Sequence, residues 1–146
     1  MIVTDTKILR KKSRRVWSVG AAARAVFERL ALEADALKAA GIAAPQIGVR
    51  KRLIVVRTAY GLLPMANPEI VNRSDMSVTE AEFCLSLPGE MAYVTRSQWV
   101  DVEYLDIDDE RTRHRFYGAE ARCVQHEIDH LDGILMTDHG PMKSDA

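Results

Sequence analysis

The sequence predicts an α+β fold, mainly antiparallel β-sheets packed around one central helix, with one further helix near the N-terminus. Three observations predict it. Apolar residues recur at helical spacing in two stretches, Ala21–Ala39 and Ala119–Asp132, which lie towards opposite ends of the chain. Between them lie β-branched and alternating segments with strand character. Those segments do not alternate with helices, as the crossovers of a parallel sheet would require.

Along the chain, the first fifteen residues, MIVTDTKILRKKSRR, lack the apolar centre of a secretion signal. The cluster Arg10, Lys11, Lys12, Arg14 and Arg15 reads as a solvated charge run in preference to a nucleic-acid contact. Val26, Leu30, Ala34 and Leu37, with Phe27 and Ala31 alongside, give the first helix its apolar face, and a glycine-containing loop at Gly41 follows. Arg52–Ala59 is a short β-branched run that suits a buried strand. Val100, Val102 and Tyr104 alternate with Asp101, Glu103 and Leu105, and after the acidic stretch Asp106–Glu110 a second alternating segment, Arg111–Tyr117, completes a hairpin. His114 reads as a surface residue of that strand. Trp17 and Trp99 read as packing residues, and His139 as part of a flexible polar turn. In the last helix Ala121, Val124, Ile128 and Leu131 form the apolar stripe, with Gly118 before it and Gly133 placed to end it.

A chain of 146 residues with 47% hydrophobic content can bury one core of substantial size, so one domain over residues 1–146 is expected. With 20 basic and 21 acidic residues the net charge is −1, so no global field favours nucleic acid or membrane. No apolar run is long enough to span a bilayer. Two cysteines suit a reducing compartment better than a disulfide framework, and a cytoplasmic location follows.

The chemistry concentrates in QHEIDHLDG. Residues four apart on an α-helix sit one turn above each other, so His126 and His130 can converge on one ion with Glu127 beside them. His-Glu-x-x-His is a zinc-hydrolase signature in which the carboxylate takes a proton from the water on the metal. A charged, solvated helix face is the bland reading, and the bounding glycines and apolar stripe weigh against it. A hydrolytic centre needs a third protein ligand and an open position. Cys84 and Cys123 are the soft candidates, with His114, His139 and the carboxylates behind them. Cys123 shares the helix but lies about 7.5 Å along the axis from the midpoint of the histidines, at about 1.5 Å rise per residue. That is too far for its short side chain, so it reads as a buried neighbour of the site. Cys84 lies in EFCLSLPG, where a strand end or loop can present its thiolate. Glu82 and Gln125 are candidates to support the ligands from behind, although Glu82 reads almost equally well as a surface carboxylate.

Three blocks, GIAAPQIG from Gly41, EFCLS from Glu82 and QHEIDHLDG from Gln125, resemble the motifs of the peptide deformylases in the family's order, and Pro88, Val94, Arg96 and Val100 resemble further family positions. The resemblance covers nearly the whole chain. It implies sheets packed around a metal-binding helix, and hydrolysis of the N-formyl group from N-formylmethionyl peptides with release of formate. It implies Cys84, His126 and His130 as ligands of one divalent ion, Fe2+ by family habit with Zn2+ as a possible occupant. Glu127 is implied as general base and acid, and the Gln46 side chain and Leu85 N–H as donors to the developing oxyanion. By the same resemblance Ala40, Gly41, Phe83 and Cys123 line the substrate cleft.

Three departures fall at that cleft. Ala39 stands where the family has a glycine, tolerable only with φ below zero, Ile42 stands where it has a leucine, and Phe83 stands where it has a glycine beside the cysteine ligand. Arg96 reads either as a substrate contact or as a residue that orders the sheet. Only PMKSDA follows Gly140, so ribosome docking through the basic C-terminal helix of many members is not expected. Two other readings stay open: a related amidase or metallopeptidase with altered acyl specificity, and a deformylase-like binding protein with a structural metal.

Overall fold

A computed structural model of the chain describes residues 1–139, and the expectation for the C-terminal tail lies outside them. A one-turn helix α1 (Thr6–Leu9) precedes the long helix α2 (Ala21–Leu37). Then come β1 (Gly41–Ala43), a 3-10 turn over Ala44–Ile47, β2 (Leu53–Thr58), β3 (Gly61–Arg73), β4 (Ser77–Glu82), β5 (Ala92–Ser97), β6 (Trp99–Leu105), β7 (Arg111–Tyr117) and the helix α3 (Gly118–Leu131). All strand pairs are antiparallel. Five strands form one sheet in the order β1-β2-β3-β6-β7, and β4 pairs with β5 in a second. The predicted α+β class is what the chain adopts, with α1 as an addition that the sequence pattern did not signal.

The β2 strand shows why the run Leu53–Val56 is apolar without interruption. Successive side chains point to opposite faces, and both faces are covered. Leu53 and Val55 join Ala23, Phe27, Leu30 and Ala34 of α2 in one core. Ile54 and Val56 join Ala121, Val124, Ile128 and Leu131 of α3, together with Val100, Val102 and Phe116 of the β6–β7 hairpin, in another. A third cluster gathers Leu9, Cys84, Leu87, Ala92, Val94, Leu135 and Met136. The loop that carries Cys84 is therefore anchored by its own apolar contacts.

Several local expectations change. α2 stops before Ala39, because Lys38 turns left-handed at φ 54°. Leu37, beyond the buried positions of α2, is exposed and lines a cleft instead of the core. β3 escaped the strand pattern because it carries Pro64, Asn67 and Pro68. Pro64 pairs with Val55 where β6 has not yet joined, so its missing N–H costs no ladder bond on that side. The register then shifts between Ala66 and Glu69. Trp99 packs as expected, under the Arg115 guanidinium 3.7 Å from its ring centroid. Trp17 does not: it is fully exposed. His139 lies in the expected turn, a 3-10 turn (Met136–His139), with its Nε2 2.7 Å from Asp129 Oδ2. Gly133 ends α3 at φ 74°, and a Cβ there would meet the Arg10 carbonyl oxygen at 2.2 Å, so only glycine fits.

Candidate metal centre

α3 supplies two imidazoles because His126 and His130 fall on successive turns of the face turned inward. The loop after β4 supplies the third group. The Sγ of Cys84 and one ring nitrogen of each histidine all lie within 4.8 Å of one another. Cys84 Sγ is 3.4 Å from His130 Nε2. Two ligands of one tetrahedral ion, bound at about 2.3 Å through sulfur and about 2.0–2.1 Å through nitrogen, lie about 3.5 Å apart, so the donor set fits. Cys123 and His114 are not in this group, and among the described residues no fourth Cys, His, Asp or Glu joins it. The elimination of Cys123 on axial distance agrees with its place, since burial and the nearby Glu127 push its thiol pKa upward and keep it protonated.

Of the two histidines only His126 is oriented from behind by a side chain, since the buried Nδ1 of His130 has no hydrogen-bond partner among the described residues. The Nδ1 of His126 is 2.8 Å from Glu82 Oε1, which leaves Nε2 to face the other ligands. Burial alone would lower the pKa of His126, but bonds to Cys84 and Glu82 outweigh it and raise the value to about 10. A proton and an ion therefore compete for the same lone pair. His130 is held neutral by burial and by the charge near it, with its pKa lowered to about 3.

Glu82 is no surface carboxylate. Burial would raise its pKa, yet hydrogen bonds from Arg96 and His126 pull it well below the usual carboxylate range. Arg96 grips both oxygens of Glu82, Nε at 2.7 Å and Nη2 at 2.9 Å, and extends Nη1 2.8 Å to Asp129. Its guanidinium is buried and spent on these partners, so it orders β5 against α3 and has no arm free for substrate. Arg122 adds a bond of 2.7 Å to Glu82 and reaches the carbonyls of Val94 and Val78. Sequence spacing could not reveal this network, because it joins β4, β5 and α3 from distant stretches. Gln125 is not part of it: its amide pins α3 to both the N–H and the carbonyl of Ser97 and also donates to the Ala121 carbonyl one turn back in the same helix.

The cleft beside the ligands has a volume of about 500 Å³ and is lined by Ala39, Ala40, Gly41, Gln46, Phe83, Leu85, Cys123 and Glu127 among others. Every residue expected at the substrate cleft therefore lies on it. Gln46 is buried, and its Oε1 accepts from Ala43 N at 3.0 Å. That bond fixes the amide flip and turns Nε2 towards Ser86 Oγ at 3.1 Å and Cys84 Sγ at 3.8 Å. Gly41 brings β1 against α3: a Cβ there would lie 2.7 Å from Cys123 Sγ and 3.2 Å from Glu127 Cγ. Glu127 is buried with its Oε1 unpartnered. Burial pushes its carboxyl up to about 7, with partial relief from His126 and Arg96. Ala39 is absent from the positive-φ residues, which include its neighbour Lys38, so the alanine fits without strain. Phe83 stands 73% exposed at the cleft mouth.

A family model described as polypeptide deformylase matches residues 1–145. The chain belongs to the polypeptide deformylase family. It is an enzyme of that class, a hydrolase with a place for a divalent metal. A peptide deformylase of Finegoldia magna is 37% identical over 133 residues, which cover 90% of this chain and 82% of that protein. A peptide deformylase of Symbiobacterium thermophilum is 42% identical over 141 residues, 94% of this chain but 64% of that longer protein. The crystal structure of peptide deformylase from Ehrlichia chaffeensis in complex with actinonin superposes with a TM-score of 0.91 at 34% identity, covering 96% of this chain and 87% of that one. Among the described residues of this deformylase, no helix is long and apolar enough to cross a membrane.

Proposed function

We propose that this deformylase hydrolyses the N-formyl group of N-formylmethionyl peptides, acting as one catalytic domain in the cytoplasm, with iron(II) as the native ion and zinc able to replace it. Cys84, His126 and His130 would hold the ion; one thiolate with two imidazoles suits both metals. When bound, the ion supplies the activation that lets water attack a formamide near neutral pH. The observation that carries the reading is the buried, unpartnered Glu127 Oε1 on the cleft beside a three-residue ligand group. A structural site has no use for such a base.

Glu127 accepts a proton from the attacking water at that oxygen, and a carboxyl titrating near neutrality can give it up again. Gln46 Nε2 and the Leu85 N–H donate to the carbonyl oxygen of the formyl group as its charge grows. The Leu85 N–H has no acceptor among the described residues, which leaves it available. The C–N bond breaks, Glu127 passes its proton to the leaving nitrogen, and formate and a free amine separate. Ala40, Gly41, Phe83 and Cys123 form walls against which the peptide lies.

The test is formate release from a formyl-Met-Ala peptide by anaerobically prepared protein, beside cleavage of an unformylated peptide. Formate release alone is expected. Glu127→Gln abolishes it with metal retained, whereas Cys84→Ala loses the metal. Cleavage of internal peptide bonds at a comparable rate would establish the metallopeptidase reading instead, and bound metal with neither activity the binding-protein reading.

A further inference from the structure

Trp17 is the one large aromatic of the N-terminal segment, and its ring packs on nothing. Its backbone is nevertheless fixed. Val16 exchanges two hydrogen bonds with the Asn67 side chain, at 2.9 and 2.8 Å, and Val19 N donates to Asp109 Oδ1 at 2.8 Å. The indole is thus held out into solvent by a chain tied down on both sides of it. The strand-like pairing of Arg14 with Lys51 brings a second basic segment alongside. Arg14 N bonds Arg50 O, and Arg52 N bonds Arg14 O.

The result is a hollow of about 660 Å³ bordered by Trp17, Arg14, Arg15, Arg50 and Lys51. The basic side chains nearest in sequence that do have carboxylate partners, Arg10 with Asp138 and Arg52 with Asp132, lie outside this lining. No acidic residue stands in the first turn of α2, which also borders the hollow. On the other side of Trp17, Glu69 and Glu103 share a second hollow with Arg15 and Arg111, so the charge there is mixed and the purely cationic side of the ring is the one that Arg14, Arg50 and Lys51 border. A net charge of −1 for the whole chain conceals this local excess.

We propose that this face binds single-stranded nucleic acid, with phosphates on Arg14, Arg15, Arg50 and Lys51 and one base stacked on Trp17. A cationic track beside an aromatic ring is the usual means of holding a flexible polynucleotide without reading its sequence. Guanidinium groups favour phosphate oxygens in forked contacts. A membrane surface is the poorer fit, because a single ring on a rigid loop gives little apolar area to insert. The cleft with the metal ligands shares no lining residue with this hollow, so the two sites are separable.

The experiment is fluorescence anisotropy of a labelled 12-residue oligouridine titrated with the full, metal-loaded chain. Neutralising four phosphates of a single strand predicts roughly a 50-fold loss of affinity between 50 and 200 mM salt. Trp17→Ala weakens binding about tenfold while Trp17→Phe largely retains it. The double variant Arg14→Ala, Arg15→Ala reduces the salt dependence, and formate release is unchanged in all three. Absence of oligouridine binding at 50 mM salt overturns the proposal. So does binding that is indifferent to Trp17→Ala and to the double variant, or capture by anionic lipid vesicles but not by oligouridine.

Discussion

Arg96 illustrates how much one side chain decides at this centre. Its charge sits in the interior only because Glu82 and Asp129 take all three of its nitrogens. Removing one partner of a buried ion pair leaves an uncompensated charge and typically costs about 3–5 kcal/mol. Arg96→Leu is therefore expected to lose stability of that order by urea unfolding. Glu82→Gln keeps the shape but weakens the acceptor behind His126, and metal affinity measured by competition with a chelator should fall about 10- to 100-fold. Unchanged affinity in Glu82→Gln would mean that His126 needs no such support. The sequence offers Glu82 only as one candidate support and leaves Arg96 between two roles, because the choice is made when β4 and β5 pair and place Arg96 opposite Val78. By contrast, His126, Glu127 and His130 are legible directly, because their spacing and the helical repeat belong to one short segment.

At the scale of elements, the contact of β1 with α3 sets the cleft. Gly41→Ala forces a methyl into Cys123 Sγ, the Val55 carbonyl and Glu127 Cγ. Overpacking of this kind costs about 1–3 kcal/mol, and displacement of Glu127 should lower kcat more than KM. A variant with normal kcat would show that β1 yields without moving the carboxylate. Ala39→Gly should bring no gain in activity and a loss of up to about 1 kcal/mol, since the backbone there needs no glycine freedom. The β6–β7 hairpin carries its own pH dependence. Hydrogen bonds from Arg115 and Arg113 lower the Asp101 pKa to about 2 from an ordinary 3.8. A depressed carboxylate contributes stability that is complete above its unfolded value and is lost as pH falls towards the folded one. The melting temperature should therefore drop between about pH 4 and pH 2, and Asp101→Asn should flatten that part of the curve. The hairpin was legible from alternation across an acidic turn. β3 was not, because its prolines and Asn67 carry turn character that only the edge position of Pro64 and the register shift make compatible with a strand.

On the scale of the whole molecule, a bound ion would cross-link two bodies: the small β4–β5 sheet with its Cys84 loop, and α3 embedded in the larger sheet. Three apolar clusters hold these bodies without help. Chelation is thus expected to lower the melting temperature while far-ultraviolet circular dichroism stays unchanged, and added metal should restore it, as mass action on the folded state requires. Loss of secondary structure on chelation would assign the metal a larger part in folding. By itself the sequence determined the fold class, the helix that carries both histidines, its hairpin neighbour and, through family motifs, Cys84 as the proposed third ligand. These depend on local periodicity and on short fixed spacings, which the chain carries whatever its surroundings. Only the tertiary structure decided that Arg96 is spent inside, that Ala39 fits where a glycine was expected, that Leu37 faces the cleft and that Trp17 faces water. Burial is a property of what packs against a residue, and those neighbours come from parts of the chain that no local pattern connects.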